Sequence, residues 1–466
     1  MDTPLLAQLH ETLYTHLDKR AEAIVGLIYA LASHDHARSV VELSLNSLFR
    51  HGHASLYRAI DAFASQSVDL RRLAAVVAPR PSQRAFWLMS TDVTAHPRPY
   101  ARTLADRSYV YAPTPTPGQK PVKVGHAYTS TLLLPEREKG APPWVIPLDV
   151  WRVPSDGDAE LMGAQALQTL LEDETMPWHG DLVVSVQDSK YSKPAYLVAL
   201  APYENLVTVV RVRNNRVFYR QYEPPPHAPK RRGRPRRYGD RFALREPETW
   251  HAPDAECTLE GVTAKGKSYT LEVQVWRNML MRGRRDEAMY RHPFTLMRVV
   301  MRDASGRPLD KQPLWLVVFG ARRDEVAPAD AVRAYLQRPD HEHFFRFGKR
   351  HLLLTAFQTP DVRREEAWHR LVFLAYLFLW AARPTAQQRW RPWEKHLQAK
   401  RGRSLSPTQV QRDFARIIRA LGLQPAKPKP RGKSPGRPTG YRQKPRERHS
   451  VVKKSSNRPT KRKKAA

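Results

Sequence analysis

Apolar residues recur at helical spacing through Ala21–Leu31, and again through Val40–Leu48 and Ala54–Phe63 on either side of Arg50-His51-Gly52-His53. That period predicts helices over residues 1–80. A helix, a Gly-containing turn and a second helix bearing Ser55, Tyr57 and Arg58 fit a DNA-reading helix-turn-helix. They also fit an ordinary helical hairpin, because the turn signal is one glycine.

From Arg84 the period changes to two. Ala85–Met89, Tyr128–Leu134, Trp144–Trp151, Leu182–Val186 and Leu206–Val212 are short apolar or β-branched runs bounded by turn residues, and they predict strands. A helix over Ala159–Leu171 separates the third run from the fourth, so residues 84–212 read as the first part of a mixed α/β sheet. Residues 213–313 read as an insertion. It opens with a Pro/Arg-rich stretch, Pro224 to Arg237, and continues with Tyr269, Leu271, Val273 and Val275 alternating against polar neighbours. Two further strands, Phe294–Met301 and Leu314–Phe319, flank the turn at Ser305-Gly306. Helices then resume over Ala329–Gln337, onward to Phe347, over Arg364–Ala382, and from Ser406-Pro407 to Leu421, where Ser is an N-cap and Pro takes the first helical position. The predicted layout is a helical segment 1–80, core segments 84–212 and 314–422 around a β-rich insertion 213–313, and a tail 425–466. No internal repeat is visible.

Charge narrows the partners. Lys+Arg number 78 against 45 Asp+Glu, a net charge of +33 over 466 residues. Such an excess points to polyanions, and to nucleic acid before membrane. The tail holds sixteen Lys/Arg and one acid, Glu447, so it is expected to stay disordered until it meets a phosphate backbone. Most of the excess lies outside it. The single cysteine, Cys257, excludes an intramolecular disulfide and any Cys-based zinc site, and fits a reducing cytosol. The N-terminus lacks the layout of a signal peptide, and the most apolar run, Leu371 to Ala382, is too short for a bilayer that needs about twenty residues. A soluble, cytoplasmic protein is expected.

The candidate chemistry sits in the run Tyr335-Leu-Gln-Arg338-Pro-Asp-His-Glu342 and its continuation to Lys349. It combines a carboxylate with cations and a phenol that suit phosphates. A two-metal phosphoryl-transfer site needs about three carboxylates from distant positions, best carried on rigid element ends. Asp92 follows the strand Ala85–Met89, and Asp188 ends the strand Leu182–Val186 at Gln187. Taken singly, each fits a turn former or helix cap. The order strand-Asp, strand-Asp, helix-Glu is far more specific.

With Tyr335, Arg338, Glu342 and Lys349 at spacings of two, three and six residues, the chain resembles the DDE transposases of bacterial insertion sequences that carry a Tyr-Arg-Glu-Lys signature. The resemblance extends from about residue 84 to 450. It implies an RNase H-like core with a β-rich insertion between the second and third acids. It also implies that Asp92, Asp188 and Glu342 hold Mg²⁺, or Mn²⁺, in a two-metal site. Arg338 and Lys349 would clamp phosphates, Tyr335 would donate a hydrogen bond to one, and Arg346 would add a contact. The implied substrate is double-stranded DNA, both terminal inverted repeats and target, cut and joined by a dimer or larger assembly at a prokaryotic nucleoid. A catalytically inactive relative that only binds DNA is the alternative. Two departures from the pattern stand out. Pro339 interrupts the signature, so the helix should restart at Asp340, and His341 takes a place where relatives usually carry an apolar residue.

Three further motifs need placing. Gly261 to Ser268 matches a P-loop pattern, but it precedes an alternating strand and reads better as a basic hairpin turn. His341-Glu342 begins a zinc-protease motif that fails at Phe345, where the second His is required. Lys230 to Arg237, with Arg232 and Arg234 around Gly233, resembles an AT-hook, an extended arm for a narrow minor groove. Gly436-Arg437-Pro438 repeats its core. A basic linker touching phosphates at random fits both stretches too. Trp276 or Trp315 could stack on a flipped base, although a buried β-core tryptophan is the stronger reading.

Overall fold

The structure, a computed structural model, describes residues 4–112, 120–138, 140–222, 236–263, 266–394, 404–428, 436 and 438–453. Four helices open the chain: α1 (Leu5–Thr15), α2 (Ala21–Ser33), α3 (His53–Ala64) and α4 (Leu70–Val77). The sheet begins with β1 (Trp87–Pro97), β2 (Ser108–Tyr111), β3 (Val122–Leu133) and β4 (Ile146–Val153). Helix α5 (Ala159–Glu172), capped by the Asp158 carboxylate, leads to β5 (Val183–Gln187). Helix α6 (Pro194–Leu200) leads on to β6 (Leu206–Val212). Strands β7 (Val217–Gln221), β8 (Tyr238–Ala243), β9 (Ala255–Val262), β10 (Ser268–Leu280), β11 (Phe294–Asp303) and β12 (Leu314–Phe319) follow. The chain closes with α7 (Pro328–Gln337), α8 (Pro339–His351), α9 (Val362–Ala382) and α10 (Pro407–Ala420).

The expected mixed α/β class holds. Along the sheet the order is β2-β3-β1-β5-β6-β12-β11-β10-β7-β8, with β4 also on β3 and β9 also on β10. Strands β1, β5 and β6 run parallel, which requires the crossovers that α5 and α6 supply. The other pairings are antiparallel.

Several expectations are corrected. Asp92 does not follow a strand: β1 runs on to Pro97, and Asp92 is paired inside it, opposite Ser130 of β3. The insertion 213–313 is not a separate unit, because its strands extend the core sheet through β12, which pairs with β6 on one side and β11 on the other. Val40–Leu48 is not a helix. It holds one 3-10 stretch, Val41–Leu45, so α3 lacks the first helix of a helix-turn-helix. Nor do residues 1–80 stand apart. Helices α2 and α3 bury Ile24, Leu27, Ile28, Leu56, Ile60 and Phe63 in the same core as α9, and α10 packs across α2 and α9. Helix α9 is buried almost throughout its length, which explains its nearly continuous apolar sequence. Among the described residues no helix is long and apolar enough to cross a membrane.

The tail is not without structure along its whole length. His449 donates its backbone N–H to Arg102 O at 2.8 Å, Val452 donates to Arg107 O at 2.8 Å, and Val452 bridges Ser108 of β2. Arg107, itself buried, reaches back to His449 O at 3.1 Å.

Gly261 to Ser268 joins β9 to β10 as an antiparallel hairpin with no helix after it, as the strand pattern requires. Trp276 and Trp315 are both buried, with ring centroids 5.7 Å apart, and they pack with Phe242 and Trp250. Neither is available to stack on a base. Arg232, Arg234 and Arg437 of the AT-hook-like stretches lie outside the described residues.

Candidate functional site

The first acid lies in β1 and the second just past its parallel neighbour β5. In the β1–β5 ladder Ser90 stands beside Val186. The ladder ends there, and Asp92 and Asp188 each lie two residues further along the chain. Asp188 sits one residue past β5 and opens the 3-10 turn Ser189–Tyr191. Both side chains are partly buried.

The third acid comes from α8. Pro339 cannot continue the hydrogen-bonding of α7, so α7 ends at Gln337 and α8 starts at Pro339, with Arg338 between them. The expected break therefore occurs one residue early. From this corner Arg338 reaches two carboxylates. Its Nη1 lies 3.5 Å from Asp92 Oδ2, and its Nη2 pairs with Glu342, one helical turn along. Glu342, Arg346 and Lys349 follow at helical spacing on one exposed face of α8. Tyr335 is buried on α7.

The electrostatics tie these groups together. Burial pushes the Asp92 carboxyl up to about 6; the Val93 N–H and Arg338 oppose the rise, and the charges of Asp188 and Glu342 add to it. Burial also raises the Tyr335 phenol, against the pull of Arg338 and Arg211, while Asp188 reinforces the rise. Desolvation lowers the Lys349 ammonium, and Asp92 counters that. All three acids, Tyr335, Arg338 and Lys349 thus share one electrostatic neighbourhood. Arg346 stands one turn from Glu342 but makes no ion pair among the described residues. On the other flank Asp188 lines a cleft of about 410 Å³ with Arg211, Arg213 and Arg245.

Among the described residues no three His, Cys, Asp or Glu side chains stand in metal-holding arrangement. The donor chemistry nevertheless fits a hard divalent cation, which takes carboxylate oxygens. Asp92 carries a raised pKa partly because its acidic neighbours crowd it with negative charge, and Arg338 is the cation that balances them. Binding a metal would exchange part of that partnership for another positive charge.

His341 is the residue that sequence reasoning underrates. It is fully buried, with Nδ1 3.1 Å from Ser90 Oγ and Nε2 3.0 Å from Ser130 Oγ. Burial, helped by the Arg338 charge, lowers it to about 3, so it is neutral at pH 7. A neutral imidazole satisfied by two hydroxyls occupies an apolar site without cost from an orphaned polar atom. Ser90 precedes Asp92 by two on the same strand, and Ser130 is Asp92's cross-strand partner. His341 therefore pins the first turn of α8, and with it Glu342, to the strands that carry Asp92.

Behind Asp92, α5 packs tightly on the sheet through Gly163. A Cβ there would lie 2.9 Å from Thr91 Cγ2 and 3.3 Å from both Thr129 Oγ1 and the Tyr191 ring. Gly163→Leu should lower stability by about 1–3 kcal/mol through overpacking. Urea unfolding checks this, and an unchanged midpoint would show that α5 moves away freely.

A family model described as DDE superfamily endonuclease matches residues 12–285, more than half of the chain, including Asp92 and Asp188. No curated protein matches the chain significantly.

Proposed function

The chain belongs to the DDE superfamily of endonucleases, and from that premise we propose that it is a transposase of the Tyr-Arg-Glu-Lys group, cutting DNA at transposon ends and joining them to a target. The main support is the shared neighbourhood of Asp92, Asp188 and Glu342, three carboxylates from β1, the turn after β5 and a distant helix. In this reading the core is RNase H-like, and Asp92, Asp188 and Glu342 hold Mg²⁺ or Mn²⁺. Bound there, the metal supplies Lewis-acid activation of the attacking hydroxyl and charge neutralisation at the scissile phosphate.

The chain's own residues position the DNA. Arg338, already held between Asp92 and Glu342, presents its guanidinium to a phosphate beside the cut. Arg346 and Lys349 continue that hold along α8, and Tyr335 donates its hydroxyl from α7. His341 and its two serines position α8 without touching DNA.

A second reading, DNA binding without cutting, is favoured by one observation: the Arg338 guanidinium, a cation, already spans Asp92 and Glu342. Incubating the protein with Mg²⁺ and a supercoiled plasmid bearing the flanking ends of its coding region separates the two. Nicking at the ends is expected. Stable binding with no nicked or joined product would leave the second reading standing.

A further inference from the structure

Beyond the acids, the far edge of the sheet is built around arginines backed by tyrosines. Arg237 lies 3.6 Å over the Tyr290 ring, and Arg282 lies 4.6 Å over Tyr219 and 5.6 Å over Tyr238. Arg236 lies 4.9 Å over Tyr222. Arg237, Arg282, Arg284 and Arg285 line one cleft of about 520 Å³ with no carboxylate in its wall. The nearby Glu287 is occupied by the Arg284 backbone N–H, and Asp286 lies in the same turn. Among the described residues, none of these four arginines forms an ion pair, whereas Arg241 of the neighbouring β8 pairs with Glu246.

Four arginines in one cleft with no carboxylate in its wall make a positive surface that favours an anionic partner. Cation–π contact fixes the Arg237 and Arg282 guanidiniums without neutralising them, leaving their planar forks free for bidentate contact with phosphate oxygens. The tyrosine faces are covered by the protein's own cations and are not free to stack on unpaired bases, which disfavours single strands. A second copy of a +33 chain would be repelled.

We propose that this edge is a second DNA-contacting surface, gripping duplex phosphates away from the catalytic acids. In the sheet order β10, which leads into Arg282, Arg284 and Arg285, stands five strands from β1, and β8, which follows Arg237, stands seven. At about 4.8 Å per strand that is roughly 25–35 Å along the sheet, away from the phosphate being cut.

The test uses the full chain and a random-sequence 30-base-pair duplex, with affinity measured across salt concentrations. Each phosphate contact contributes about 0.9 to the slope of log affinity against log salt. The variant R237A/R282A/R284A/R285A should lose about 2–4 in slope and bind at least about tenfold more weakly in 0.15 M salt. The four corresponding lysine substitutions should keep most of the slope. If the alanine variant does not fold, R284E/R285E at two exposed positions should still lose about 2. A slope and affinity equal to those of the unaltered chain would overturn the proposal, and so would an RNA duplex outcompeting the DNA. The slope is read without Mg²⁺ and without cutting, so a failure to cut DNA would leave this test intact.

Discussion

Asp92→Ala should lower Mg²⁺-dependent nicking of the donor plasmid by at least about 10³-fold, equivalent to ~4 kcal/mol of transition-state stabilisation. DNA binding should change less than about twofold, because the cations proposed to grip phosphates remain. The expectation follows from where the residue stands. Asp92 is fixed inside β1 opposite Ser130 of β3, two residues past the last β1–β5 pair, Ser90 beside Val186. A side chain so placed cannot be replaced by a neighbour, since Val93 points to the opposite face of the sheet. Its loss should not unfold the chain. The carboxylate is partly exposed, and its raised pKa shows that ionising it at neutral pH costs the folded state energy. Arg338 keeps Glu342 as a partner. Asp92→Asn preserves size and the contact with the Val93 N–H, and should lose as much activity as the alanine variant. Nicking within tenfold of the unaltered protein would remove Asp92 from the site, whatever the family. Arg346→Ala tests a lesser role: if this exposed arginine contacts a phosphate as proposed, its loss should weaken binding more than it slows cutting.

Much of the fold around these residues is legible in the amino-acid sequence, for local reasons. Helical period and punctuation mark α5, α9 and α10, and the Ser406 cap is completed by Gln409 as a capping box. Pro339 marks the break that places Arg338 at a corner. What local pattern does not show is pairing. Ser90, Thr91, Asp92 and Thr94 interrupt the apolar run of β1, so the strand reads as finished at Met89. Yet Ser90, Thr91 and Thr94 are buried, because partners from β3 satisfy the backbone on that side. Likewise the insertion alternates like any half-buried sheet. Only the long-range ladder between β6 and β12 reveals that it extends the core. His341 looks like a departure for the same reason, since the serines that satisfy it are 251 and 211 residues away in the chain. The α3 region shows the opposite error: helical spacing around one glycine suggests two helices, where packing against α9 supports one.

The largest effect on stability should come from Glu365, which no sequence pattern marks. Its carboxylate is fully buried on α9, where it accepts from Tyr128 OH at 2.8 Å and lies 2.6 Å from His126 Nδ1. Arg98 approaches its other oxygen at 3.4 Å, and His96 stands 3.7 Å away while hydrogen-bonding His369 at 3.0 Å. Burial alone would raise the Glu365 carboxyl. The His126 hydrogen bond and the surrounding histidines overcome that and hold it at about 2. Removing the charge strands the buried Arg98, so Glu365→Ala should cost about 3–5 kcal/mol. Glu365→Gln tests the charge itself, since it keeps the shape but cannot balance Arg98. The pH dependence follows from the direction of each shift. A depressed carboxyl contributes stability above its ordinary value of 4.5, and that contribution drains as pH falls toward 2. His96, lowered by burial to about 4, is held neutral; its contribution is complete above 6.5 and is lost as pH falls toward 4. Acid therefore weakens the protein in two stages, first through the histidine and then through Glu365. Urea unfolding should show a gap between the unaltered chain and Glu365→Gln that is constant from pH 7 to about 5 and narrows below 4.5. A gap that stayed the same down to pH 3 would mean that Glu365 is not held as a paired carboxylate. The link between α9 and the ends of β1 and β3 would then rest on packing alone.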